Sequence, residues 1–173
     1  MAPRVDFAHF FDYLVLARVP LLDPIGAQPD ELYTRTYGFG LGSIRGTLIH
    51  IADIEWGYVQ RLLGRDYTRE ESPFTEARYL GLALFAAAWR AHEPTTRRAL
   101  AGIDDPSRQV EYVSRNFSPP QRTRTTAGGV AGQLLFHEIH HRAQVMAMLR
   151  LAGVPVQDLD YSRLMWQRTP ATE

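Results

Sequence analysis

Three histidines combine a residue type and a spacing that can bind a metal ion. His137 and His141 stand four residues apart within an unbroken helical pattern. Side chains at positions i and i+4 lie on one face of an α-helix, so both imidazoles can reach a common point. His50, on another predicted helix, could complete a three-nitrogen site with one open coordination position. An open position on a bound metal suggests catalysis.

The surroundings of these histidines also fit a purely structural role. At about 100° per residue, the midpoint between His137 and His141 aligns with Val130 and Met148, so the pair lies in an apolar stripe. Histidines packed there would each need a hydrogen-bond partner, since a buried unsatisfied polar group is costly. His50 lies at the margin of its helix's apolar sector, beside small residues that leave room for a ligand. Metal ligation and core packing both stay open at this point.

The remaining histidines lack a comparable pattern. His9 and His92 are assigned to structure or surface, and His140 to solvent or a subunit interface. None of the three is counted among the candidate ligands. Two carboxylates, Asp53 and Glu138, are candidate bases, but their spacing does not choose between them.

Capping residues and apolar periodicity predict the first two long helices. Asp6 caps a first helix that Pro20 should kink or shorten, and residues 23–42 read as a connection. Ser43 caps the second helix, which carries His50 and is stopped by Gly64.

Two more helices complete the prediction. Ser72 followed by proline starts a third helix, which Pro94 should bend or interrupt. The fourth, carrying His137 and His141, starts between residues 126 and 130 and ends at Gly153. Four long amphipathic segments without an internal repeat predict one all-α domain over residues 1–173, a four-helix bundle with a tail that packs back on it.

A short hairpin is predicted before the fourth helix. Val110, Tyr112 and Phe117, followed by the threonine-rich stretch 122–126, suit two strands around a turn at 118–120. This is the only strand structure that the sequence indicates.

Composition excludes several kinds of chemistry. The chain has no cysteine, which removes disulfides, thiolate nucleophiles and cysteine-ligated metal sites. All 19 basic residues are arginine, so a catalytic lysine is excluded as well. The 19 acidic residues balance them, and without a basic tract we predict no nucleic-acid binding. With neither a signal-peptide pattern nor a membrane-spanning apolar stretch, we expect a cytoplasmic protein that does not enter membranes.

Residues 137–141 also satisfy the H-E-x-x-H pattern of zinc proteases, in which Glu138 would activate water. The longer version of that pattern requires glycine at 144 and histidine at 147, where this chain has Gln144 and Ala147. The substrate-binding sheet expected upstream is also missing. We therefore hold the protease interpretation as a lesser alternative.

Two segments resemble the DinB/YfiT-like family of four-helix-bundle metalloenzymes, and the likeness covers most of the chain. The first opens a helix at Gly42-Ser43-Ile44, carries His50 and Trp56, and closes with Arg61-Leu62-Leu63-Gly64. The second, more specific segment is His137-x-x-x-His141-Arg142-Ala143-Gln144.

This resemblance implies a more definite set of expectations than spacing alone. It implies an up-down-down-up bundle, a homodimer, and a divalent ion such as zinc or nickel held by His50, His137 and His141, with Gln144 in a supporting position. Characterised relatives include transferases and isomerases that use low-molecular-weight thiols. The expected function is therefore a metal-dependent enzyme acting on a small molecule, by thiol transfer or by metal-assisted hydrolysis. A metal-binding or stress-associated dimer without catalysis is the alternative.

Overall fold

A computed structural model of the protein describes residues 5–114 and 118–170. In this part of the chain, four long α-helices form the body of the molecule, accompanied by two short helices and one hairpin. The elements are α1 (Phe7–Gly26), α2 (Asp30–Thr34), α3 (Ile44–Leu62), α4 (Leu82–Ala101), β1 (Gln109–Ser114), β2 (Gln121–Thr126), α5 (Ala127–Leu151) and α6 (Tyr161–Met165). A single 3₁₀ turn, Arg69–Glu71, lies between α3 and α4.

The predicted all-α bundle is confirmed, and the direction of its helices follows from two clusters of buried residues. One end of the bundle collects Phe11, Val59, Leu100 and Val130, from the start of α1, the ends of α3 and α4, and the start of α5. The other end collects Ile25, Ile44, Phe85 and Met148 from the opposite ends of the same helices. Helices α1 and α5 therefore run one way and α3 and α4 the other, which is the up-down-down-up order. Helix α1 packs against α4 and α5, and α3 packs against the same two helices.

The helices that carry the histidines begin and end as the sequence predicts. Ser43 caps α3 by accepting a hydrogen bond from the Gly46 amide, at 2.9 Å. Gly64 follows the end of α3 with φ +68°, a conformation that glycine adopts without steric cost. Thr126 caps α5 through the Gly129 amide, at 3.0 Å. Gly153 follows its end with φ +76°.

Two predicted helix boundaries are wrong. Helix α1 continues through Pro20 and Pro24 as far as Gly26, so the predicted connection starts later and contains α2. Each proline removes one backbone hydrogen bond, but the burial of Leu21 and Ile25 in the core holds the last turns in place.

The third long helix begins nine residues later than Ser72-Pro73 predicts, at Leu82. The Ser72 hydroxyl accepts from the amide of Phe74, two residues on, which closes a local turn and does not cap a helix. The segment up to Gly81 then stays irregular while it buries Phe74 and Tyr79. Beyond it, α4 continues through Pro94 to Ala101.

The predicted hairpin is present. Strand β1 pairs antiparallel with β2, with Gln109 opposite Thr126 and Ser114 opposite Gln121. Phe117, which the prediction included, lies outside the described residues. None of the helices between residues 5 and 170 that the structure describes is long and apolar enough to cross a bilayer.

Candidate metal centre

The structure brings His50, His137 and His141 together, although 87 residues of sequence separate the first two. One nitrogen from each ring can be chosen so that all three lie within 4.8 Å of one another. The Nε2 atoms of His50 and His137 are 3.1 Å apart. Ring centroids are 4.4 to 4.9 Å apart across the three pairs. Among the described residues, this is the group of histidines and carboxylates that could hold a metal ion.

Two antiparallel neighbours, α3 and α5, position these rings. His50 lies in the second turn of α3, whose start is fixed by the Ser43 cap. His137 and His141 lie one turn apart on α5, on a side that also carries the buried Leu134 and Met148. All three histidines are half-buried, so the site lies at the edge of the apolar contact between α3 and α5 and not in the middle of the core.

The environment keeps the three imidazoles neutral. Burial, followed by the influence of His141 and Arg69, lowers the pKa of His50 to about 4. Burial and the neighbouring histidines lower the pKa of His137 to about 3. The pKa of His141 is also lowered, mainly by burial, although its bond to Gln144 opposes the shift. A histidine binds a metal through its neutral form, so the site is ready to accept one at neutral pH.

Gln144 orients the third histidine. Its Oε1 lies 2.9 Å from His141 Nδ1 and, as an amide oxygen, accepts the proton on that nitrogen. The Nε2 lone pair of His141 is then free for a ligand bond, the arrangement that supporting residues create around metal-bound histidines. The loop before α3 approaches Gln144 at Gly40, which has φ +60°. A Cβ added at Gly40 would lie 3.0 Å from Oε1 of Gln144.

The donor set fits a divalent transition metal. Three neutral imidazole nitrogens converge, one already has its tautomer fixed, and none is engaged by a carboxylate among the described residues. Such nitrogen donors suit zinc, nickel and similar ions. With three protein ligands, a fourth position would be left for a small molecule.

A cavity of about 340 Å³ opens beside His50. Its walls come from the start of α3, the loop before it and the irregular segment before α4. They comprise Leu41, Gly46, Ile49, His50, Asp53, Arg69, Phe74, Thr75 and Glu76. Two of the small residues expected to leave room beside His50 are Gly46 and Gly57. Gly46 lines the cavity, whereas Gly57 is covered by Tyr67 and leaves no room.

A buried charge cluster at the centre of the bundle was missed by sequence reasoning. Arg18 on α1 contacts Glu55, Glu93 and Glu138, one from each of the other long helices. The closest contacts are from Nη2 to Glu55 Oε2 at 2.6 Å and to Glu138 Oε2 at 2.7 Å. Glu55 also accepts hydrogen bonds from Trp89 Nε1 at 2.8 Å and from the Thr96 hydroxyl at 2.5 Å.

The cluster had a signal in the sequence. Arg18 lies four residues after Leu14 and three before Leu21, so it occupies a position in the apolar stripe of α1. A charge at such a position is buried only when it is paired. Burial lowers the pKa of Arg18, but Glu138 and Glu55 outweigh it and the net effect is a raised pKa. For Glu93, burial raises the pKa above its usual range in spite of Arg18.

Of the two candidate bases, Glu138 is engaged elsewhere. Both of its oxygens accept hydrogen bonds from Arg18, and its side chain is 3% exposed. The role that the H-E-x-x-H pattern assigns to this glutamate is therefore not supported. Asp53, by contrast, lines the cavity with His50 and is half-buried.

The other histidines lie outside the cluster of three. His9 is exposed and its Nε2 lies 2.8 Å from the hydroxyl of Tyr161 on α6. His92 packs edge-on against Phe74. His140 is exposed, as expected. Its Nε2 accepts from Gln144 Nε2 at 3.2 Å, and its ring lies edge-on to that of His141, with centroids 4.8 Å apart.

Arg142, the residue after His141, is buried although it does not join the histidine site. Its guanidinium donates to the Tyr13 hydroxyl and, at 3.5 Å, to the Leu159 carbonyl. Arg142 on α5 therefore binds both α1 and the C-terminal tail.

These features define a helical-bundle protein with a three-histidine site between two antiparallel helices. The model of the DinB family matches residues 1–172, and the chain belongs to that family. No curated protein matches the chain. Family membership and the histidine cluster together are compatible with a metal-dependent enzyme and indicate a divalent metal.

Proposed function

We propose that this protein is a metal-dependent enzyme that transfers a low-molecular-weight thiol to a small electrophilic molecule, using zinc or nickel held by His50, His137 and His141. The observation that carries the proposal is the convergence of three neutral imidazoles beside a cavity of about 340 Å³. A purely structural trio would have no need for adjacent space. Because the chain lacks cysteine, the thiol must come from a second small molecule.

The chain's own residues prepare the site for this reaction. A divalent ion at the three histidines would supply a Lewis acid that lowers the pKa of a thiol or water beside it. Because Gln144 Oε1 accepts the proton on His141 Nδ1, the Nε2 lone pair of His141 stays free for the metal. Leu41, Ile49 and Phe74 give the cavity apolar walls that limit the access of water to a bound substrate.

In the transfer itself, the thiol S–H bond breaks and a new S–C bond forms at the electrophile. The proton leaves with the displaced group or, in an addition, is taken up by the product. Hydrolysis is the variant in which water takes the place of the thiol.

Turnover assays with a panel of electrophiles test the proposal. Zinc- or nickel-loaded protein should consume a low-molecular-weight thiol together with at least one electrophile, and the His141→Ala variant should not. His140→Ala, which alters the neighbouring exposed ring, is the matched control and should keep the activity. Protein that holds the metal but turns over no substrate would favour the metal-binding bundle without catalysis.

Two further expectations stay predictions. A homodimer is implied by the resemblance, and light scattering of the purified protein would measure the oligomeric state directly. The cytoplasmic location is likewise a prediction, which fractionation of the source cells would test.

A further inference from the structure

The cavity beside His50 is lined by two charged side chains that have no partner in the part of the chain that the structure describes. Arg69 and Asp53 both line it. Among residues 5–114 and 118–170, no hydrogen bond or ion pair engages either side chain. Glu76, also in the wall, is different because it pairs with Arg45 at 3.8 Å. Within the described ranges, the cavity thus presents one unpaired positive group, Arg69, and one unpaired negative group, Asp53.

We propose that this cavity binds a zwitterionic, amino-acid-like small molecule, with Arg69 binding its carboxylate and Asp53 binding its ammonium group. The proposal rests on the proposed function, because the cavity shares His50 with the metal centre, and it names the substrate class for that site. A sulfur-containing amino acid, or a thiol built on one, would place its charged groups in the cavity and its sulfur near His50.

The pairing of charges selects against simpler ligands. An anion without an ammonium group would gain the guanidinium of Arg69 but would also meet the carboxylate of Asp53. A cation without a carboxylate would gain the carboxylate of Asp53 but would also meet the guanidinium of Arg69. Only a ligand carrying both charges satisfies both groups, and like-charge contacts of this kind are how sites reject the wrong partner.

Several contacts fix the segment between α3 and α4 that carries Arg69. Arg69 belongs to the 3₁₀ turn, whose start is closed by a hydrogen bond from the Thr68 amide to Glu71 Oε1, at 3.0 Å. Phe74 follows and is anchored in the core, packed edge-on against Phe85. The far end of the segment is fixed by Arg45, whose Nε donates to the Tyr79 carbonyl at 3.2 Å.

Asp53 lies on the wall of the cavity that α3 forms. It stands three residues after His50 on α3, so the two side chains share a face of that helix. Arg69 is close enough to His50 for its charge to contribute to the lowered pKa of that histidine. The two charged groups therefore line the cavity beside one candidate metal ligand, Asp53 from α3 and Arg69 from the 3₁₀ turn.

Binding of three related compounds tests the proposal directly. S-methyl-L-cysteine carries both charges, 2-(methylthio)ethylamine lacks the carboxylate, and 3-(methylthio)propionate lacks the ammonium group. The methyl group blocks the thiol, so the compounds do not strip zinc as free thiols would. Titrations of zinc-loaded protein, followed by NMR, should show S-methyl-L-cysteine binding about tenfold more tightly than either of the others, the effect of one charge-assisted hydrogen bond.

Two variants should remove this preference in opposite ways. In Arg69→Gln, S-methyl-L-cysteine should bind no more tightly than 2-(methylthio)ethylamine but should still bind more tightly than 3-(methylthio)propionate. In Asp53→Asn, S-methyl-L-cysteine should bind no more tightly than 3-(methylthio)propionate but should still bind more tightly than 2-(methylthio)ethylamine. Arg65→Gln and Asp66→Asn change nearby charges in the sequence that are exposed and do not line the cavity, and they are the matched controls. Equal affinity of the wild type for all three compounds would overturn the proposal. So would Arg69→Gln and Asp53→Asn titrations that match those of the controls.

The same titrations on metal-free protein separate this proposal from the proposed function. Protein that fails to retain zinc but prefers the zwitterion would support the cavity assignment and contradict the metal centre. Protein that retains zinc without any zwitterion preference would overturn the cavity assignment alone.

Discussion

Arg18 and Glu138 form a buried two-point ion pair at the centre of the bundle. Nε of Arg18 lies 3.2 Å from Oε1 of Glu138, and Nη2 lies 2.7 Å from Oε2. Glu138 directly follows the candidate ligand His137, so the pair ties that part of α5 to α1. It also occupies both oxygens of the carboxylate that the zinc-protease pattern would need as a base.

Removal of the arginine should destabilise the fold strongly. Arg18→Met leaves Glu55 and Glu138 buried without a counter-charge, and breaking a buried ion pair on one side costs about 3 to 5 kcal/mol. Urea denaturation would measure the loss in free energy of unfolding. Arg97→Met, which breaks the half-exposed pair with Asp12, is the control and should cost less than about 1 kcal/mol. Equal losses in the two variants would show that the cluster has no special role.

The glutamate itself should matter for stability and not for metal binding. Glu138→Gln keeps the shape of the side chain but loses the charge opposite Arg18, so we expect a lower unfolding midpoint and an unchanged metal content. Peptide substrates should not be cleaved by the zinc-loaded wild type. Chelator-sensitive cleavage that disappears in Glu138→Gln would revive the protease interpretation.

Gln144 should tune metal affinity without being a ligand. Gln144→Leu removes the acceptor for His141 Nδ1–H, and the loss of such a supporting bond weakens metal affinity by about 10- to 100-fold. Gln144→Glu keeps an acceptor and should retain most of the affinity. Competition with a chromophoric chelator gives both values. Unchanged affinity in Gln144→Leu would mean that the hydrogen bond does not orient the ring for binding.

Acid should destabilise the metal-free protein through the histidine site. The pKa of His50 is lowered from 6.5 to about 4 and that of His137 to about 3, so the folded state holds both rings neutral. The unfolded chain takes up protons below pH 6.5, and stability must therefore fall as the pH drops from about 6.5 towards 4. Urea midpoints measured across this range should fall less steeply for His137→Ala than for the wild type. Parallel curves would contradict the lowered pKa.

Sequence predicted the parts of the fold that local chemistry determines. Ser43 and Thr126 cap the helices that carry the three histidines, and Gly64 and Gly153 adopt the positive φ that follows their ends. These signals act within a few residues, so they can be recognised without knowledge of the tertiary structure. The spacing of His137 and His141 is a local feature of the same kind.

The errors lie where long-range packing decides. The last turns of α1 survive Pro20 because the core holds Leu21 and Ile25, which no local rule can show. The segment after Ser72 stays irregular because Phe74 and Tyr79 anchor it. The contact of Arg18 with Glu138 spans 120 residues, and only the assembled bundle reveals which carboxylates it meets.

The metal content of purified protein tests the central claim most directly. Protein prepared without an affinity tag and saturated with zinc or nickel should retain about one ion per chain, as one three-histidine site requires. His137→Ala should lose it, whereas His140→Ala should retain it, with circular dichroism confirming that both variants are folded. Equal metal in the wild type and in folded His137→Ala would contradict the assignment of His50, His137 and His141 as the metal centre.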